Sequence, residues 1–103
     1  MIGYSISRNG VKIRLPEERW VHITESHDYM SGLSDLVLEV IKNPEEIIEG
    51  DKKELIAIQK FNNKYVVIIY REVNDKDGFL ITAFMTFDID KIRKGRKIIW
   101  KSR

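Results

Sequence analysis

Apolar and polar positions alternate through residues 2–7 and again through 11–15, and the Asn9-Gly10 pair between them favours a tight hairpin turn. The period then changes. Pro16 followed by Glu17 and Glu18 fits the first turn of a helix, where proline needs no donor and acids meet the positive end of the helix dipole. This helix runs to about His27, with Trp20, Ile23 and His27 at i, i+3 and i+7 on one stripe, and Ser31-Gly32 breaks the pattern. Ser34 caps a second helix, Asp35 to Lys42, whose apolar face is Leu36, Val37, Val40 and Ile41; Asn43-Pro44 ends it. After a short turn at Glu45–Ile48 and Gly50, residues 54–60, 64–73 and 79–87 are rich in β-branched and aromatic side chains, with a loop at 74–78 joining the last two. Residues 89–94 form a short helical turn, and Ile98, Ile99 and Trp100 a final strand or docking segment. This order predicts an α+β domain: an N-terminal hairpin and two helices packed on an antiparallel β-meander of about four strands.

Length and composition narrow the class. At 103 residues the chain is a single domain, 1–103. The absence of cysteine excludes disulfides, thiolate nucleophiles and cysteine-based metal sites. The longest apolar run, Tyr65 to Tyr70, is too short to cross a bilayer, and the opening MIGYSISRNG has no signal-peptide pattern. A cytoplasmic protein without a membrane partner is expected. The net charge of +2 hides an asymmetry: Glu17 to Glu54 carries eleven acids against four bases, whereas 91–103 carries seven bases and no acid. Such a basic C-terminal segment attracts polyanions, nucleic acid foremost. Lys91, Arg93, Lys94, Arg96 and Lys97, with Tyr70 beside Arg71, are the candidate substrate-binding residues.

His22 and His27 are the only histidines. Histidine titrates nearest neutrality, so it transfers protons without a cofactor. On a continuous helix the two rings stand about 140° apart at 100° per residue, so they do not share a metal ion, and no metal site is expected. His27, on the apolar stripe, is the stronger catalytic candidate and His22 the second. Arg71 and Thr82, on successive strands, complete the set as phosphate clamp and hydroxyl donor.

From Pro16 to about Phe87 the chain resembles the Barnase–EndoU–colicin–RelE-like nucleases, in their phage and polymorphic-toxin branch. The resemblance is carried by Arg19-Trp20-Val21-His22-Ile23-Thr24-Glu25-Ser26-His27, by Asn43-Pro44-Glu45-Glu46-Ile47, and by the strand pair Val67–Val73 and Gly78–Phe84, in that order. One departure is Asp28, where relatives often follow the second histidine with proline. The resemblance implies a RelE/barnase-like fold, with a helical part on a four-stranded antiparallel sheet. It also implies metal-independent, cofactor-free RNA cleavage, with His22, His27, Arg71 and Thr82 in the catalytic positions. RNA is then the substrate, and a cognate antitoxin or immunity protein the partner. The alternative is a non-catalytic interaction or RNA-binding domain of a phage or toxin module. The interaction domain requires both histidines buried and satisfied, with no cleft between helix and sheet, whereas an RNA binder that cuts nothing relies on the basic tail.

Overall fold

A computed structural model describes residues 1–102; Arg103, counted above in the basic segment, lies outside the described residues. The elements are β1 (Gly3–Ile6), β2 (Lys12–Leu15), α1 (Glu17–Ser26), a 3₁₀ turn (Asp28–Met30), α2 (Ser34–Lys42), β3 (Glu46–Glu49), β4 (Leu55–Phe61), β5 (Lys64–Glu72), β6 (Asp77–Thr86), α3 (Ile89–Arg93) and β7 (Ile98–Lys101). They build one α+β domain around a seven-stranded mixed sheet in the order β1-β2-β6-β5-β4-β3-β7.

This corrects the expectation of two helices on an antiparallel meander of about four strands. The hairpin is part of the sheet, because Lys12–Arg14 of β2 pair in parallel with Asp77–Phe79 of β6. Glu46–Glu49 is a strand, paired with β4 on one side and β7 on the other. Its acid is tolerated inside the sheet because Glu46, 6% exposed at the side chain, takes the Arg93 guanidinium from α3 at 2.7 Å.

The two faces of the sheet carry separate cores. α1 and α2 cover one face, burying Ile23, Met30, Val37, Val40 and Ile41 against Ile13, Leu15, Ala57, Val66, Ile68, Tyr70, Leu80 and Ala83. The opposite, outer face gathers Ile48, Ile56, Ile58 and Val67 under Ile89 of α3, with Ile69 and Phe84 at the margin. The sheet coils strongly. Six spacings of about 4.8 Å would hold the edges of a flat sheet about 29 Å apart, yet the Arg8 guanidinium, on the β1–β2 turn, stacks 4.5 Å from the ring of Trp100 on β7.

Tyr70 is fully buried, and its hydroxyl is the one buried side-chain polar atom without a hydrogen-bond partner among the described residues. Burial pushes its pKa upward. An orphaned buried hydroxyl costs free energy that an apolar group of the same shape does not. Tyr70→Phe is therefore expected to hold stability constant or raise it by about 1 kcal/mol in urea unfolding; a loss of that size would reveal a partner for the hydroxyl.

Candidate active site between the first helix and the free flank of the sixth strand

The pairing of β6 leaves one flank open. β2 covers it only as far as Phe79, while β5 runs beside the other flank to Thr86. From Leu80 onward the exposed main-chain side of β6 faces α1 and the 3₁₀ turn instead of a strand. Tyr29 closes part of it: its hydroxyl accepts the Met85 N–H at 3.2 Å and lies 3.2 Å from His27 Nδ1. The same hydroxyl also stands 3.5 Å from the Met85 carbonyl oxygen, so it bridges the β6 main chain and the His27 ring. In an antiparallel ladder, residues two apart direct their main chain to the same side. The N–H and C=O of Ala83 therefore face the α1 flank, as those of Met85 do.

Above Met85 the flank is open. Arg19, His22 and Ser26, at i, i+3 and i+7, form one stripe of α1. Together with Ile23, and with Ile81 and Thr82 across from them, they line a groove of about 290 Å³. Its strand wall is shaped by a bulge: Tyr70 pairs with Leu80 and Ile69 with Thr82, so Ile81 is the extra residue. Thr82 is thereby turned to the outer face with its partner Ile69. Phe84, two positions on, shares that face, and the His27 ring packs 5.8 Å from it. Residues two apart on a strand are about 7 Å apart, so the two histidines border adjacent outer-face positions, His22 at Thr82 and His27 at Phe84.

The two histidines are placed differently from the helical wheel. α1 ends at Ser26, and His27 is its C-cap at φ −137° and ψ 75°, outside the helical stripe on which it was placed. It is half-buried against Tyr29 and Phe84, whereas His22 is exposed and lines the groove. Arg71 is elsewhere. It pairs with Phe79 on the outer face and lines a second groove with Lys52, Lys53, Glu72 and Val73. Arg71 and Thr82 share a face without sharing a groove.

Arg19 occupies the place beside the histidine where Arg71 was expected. Its spacing to His22, one helical turn back, was the available signal. The other described arginines are engaged elsewhere. Arg14 is bound to Asp77, Arg93 to Glu46 and Arg96 to Asp51, and Arg8 stacks on Trp100. Among the described residues only Arg19 and Arg71 have neither carboxylate nor aromatic ring as partner, and each lines a groove.

The remaining substrate-binding candidates divide. Tyr70 is in the core and reaches no ligand. Arg93 and Arg96 are committed to Glu46 and Asp51, so the basic segment is docked through α3 and β7 instead of forming a free arm. Lys91, Lys94 and Lys97 are exposed. Among the described residues no three histidine or carboxylate side chains converge as metal ligands, and no helix is long and apolar enough to cross a membrane. Compared with known proteins, the chain matches no protein-family model, no curated protein and no solved structure.

Proposed function

We propose that this protein is an endoribonuclease that cleaves RNA by 2′-hydroxyl attack, with its site in the α1–β6 groove. The observation that carries the proposal is the joint placement of His22, Arg19 and Thr82 around one open groove, with His27 at the next outer-face position. Arg19 has no anion within the described chain and fits a phosphate, which its planar fork binds in a bidentate manner. Thr82 donates a hydroxyl to a non-bridging oxygen. The histidines serve the two proton steps: one takes the 2′-hydroxyl proton, the other gives a proton to the departing 5′-oxygen. The 2′-oxygen bonds to phosphorus as the P–O5′ bond breaks, leaving a 2′,3′-cyclic phosphate and a free 5′-hydroxyl.

The exposure of His22 favours this reading over a non-catalytic interaction domain, which needs both histidines buried. The motif order supports membership of the Barnase–EndoU–colicin–RelE-like nucleases by activity; the seven-stranded sheet is not part of that support. Within the same proposal the protein acts in the cytoplasm, as a toxin held in check by a cognate antitoxin. The test is chemical. Purified protein incubated with RNA and a chelator should yield fragments ending in 2′,3′-cyclic phosphate, and a deoxyribose at the scissile nucleotide should block the cut. Intact RNA after prolonged incubation, or products with 3′-hydroxyl ends, would refute it.

A further inference from the structure

The second groove, of about 480 Å³, is lined by Lys52, Lys53, Arg71, Glu72, Val73 and Phe79. Its one wall acid and the acid behind it are already engaged. Glu72 accepts from the Ser7 hydroxyl at 2.6 Å and from the Asn9 amide at 3.0 Å, and Glu54 behind the loop accepts the Lys52 main-chain N–H. The three cations have no such partner: among the described residues no carboxylate lies within ion-pair distance of Lys52, Lys53 or Arg71, and the one hydrogen bond of Arg71 goes to the Lys52 carbonyl at 3.1 Å. That bond ties the 50–54 turn to the sheet and holds both lysines beside the guanidinium. Lys53 sits there at φ +67°, a left-handed conformation that costs a non-glycine residue on the order of 1 kcal/mol. Phe79, half-buried, adds a ring to the wall.

Place matters as much as charge. Arg71 lies opposite Phe79, and Thr82 opposite Ile69, two residues from Arg71 on the same outer face. Diagonal neighbours of this kind have side chains about 7–8 Å apart, within reach of neighbouring phosphates on one strand. We infer that the Lys52–Lys53–Arg71–Phe79 groove is a second subsite for the same single-stranded RNA, holding a phosphate next to the one cleaved in the α1–β6 groove, with Phe79 stacking on a base. The inference rests on the ribonuclease reading for the identity of its ligand, but its test does not require cleavage.

The probe is a fluorescent 2′-O-methyl hexanucleotide, bound to the full chain and followed by anisotropy across a salt series. Lys52→Gln/Lys53→Gln should weaken binding about tenfold and flatten the log–log salt dependence by about 0.7 per lost phosphate contact. The charge-matched control Lys42→Gln/Lys60→Gln, at exposed positions outside both grooves, should bind like wild type. Three results overturn the subsite: no binding by wild type, unchanged binding by the Lys52/Lys53 variant, or equal weakening by the control. If the Lys52/Lys53 variant alone loses binding while wild type leaves RNA uncut, the subsite stands and the catalytic reading fails. If His22-dependent cleavage is found but the Lys52/Lys53 variant binds normally, the subsite fails and the catalytic reading stands.

Discussion

His22→Ala should lower the rate of RNA cleavage by about 10²- to 10⁴-fold, the usual contribution of a positioned acid or base, with the melting temperature unchanged. The two halves of this expectation have separate causes. His22 is exposed on a helix whose buried contact is Ile23, so removing the ring takes nothing from the core. The groove it lines also holds Arg19 and Thr82, so the same deletion removes the imidazole that shares the groove with both. His27→Ala should differ in kind. It should also lose activity, but with some loss of stability, because His27 hydrogen-bonds the Tyr29 hydroxyl that caps Met85 and packs on Phe84. Single-turnover rates and thermal melts on the two variants separate the cases; wild-type rates for His22→Ala would remove the groove from the chemistry.

Gly78→Ala should destabilise the protein by about 1–3 kcal/mol, as overpacking does in a well-filled core, and lower the melting temperature by about 4–8 °C per kcal/mol for a domain of this size. Gly78 sits where three strands meet, paired with Ile13 of β2 on one side and Glu72 of β5 on the other. A Cβ there would run into the Arg71 carbonyl oxygen and come within 2.7 Å of Ile13 Cδ1. The carbonyl belongs to a paired strand and has no free rotor to turn, so the sheet itself must spread. Because the strain falls on Arg71, the variant should also weaken oligonucleotide binding more than cleavage of a dinucleotide. An unshifted melt would mean that β2 yields there at little cost, contrary to the pairing of Gly78 on both sides.

The local elements were largely legible because each is signalled by its own residues. Asn9-Gly10 marks the hairpin, Pro16-Glu17-Glu18 the start of α1, and the runs of β-branched and aromatic residues mark β4, β5 and β6. What the sequence hides is long-range. β3 reads as a turn because its strand contains two glutamates, and only Arg93, 47 residues on, explains why Glu46 can be buried. The parallel joining of β2 to β6 has no local signature at all. The site was half legible for the same reason. A helical wheel separates His22 from His27, but α1 ends one residue before His27, and the departing backbone returns that ring to the row that Thr82 and Phe84 share. The Ile81 bulge, which turns Thr82 outward, depends on the register between β5 and β6 and is invisible along either strand alone.

The ribonuclease proposal requires an RNA phosphate to bind between α1 and the free flank of β6. It is tested most directly by NMR titration of the isotopically labelled protein with a non-cleavable 2′-deoxy oligonucleotide, following side-chain signals of His22 and Arg19 and main-chain amides of β6. Saturable shifts are expected at His22, Arg19, Thr82 and Ala83, whose N–H faces the α1 flank. Shifts confined to the groove between β1 and α2, around Tyr4, Asp35 and Glu39, with the α1–β6 signals unmoved, would contradict it.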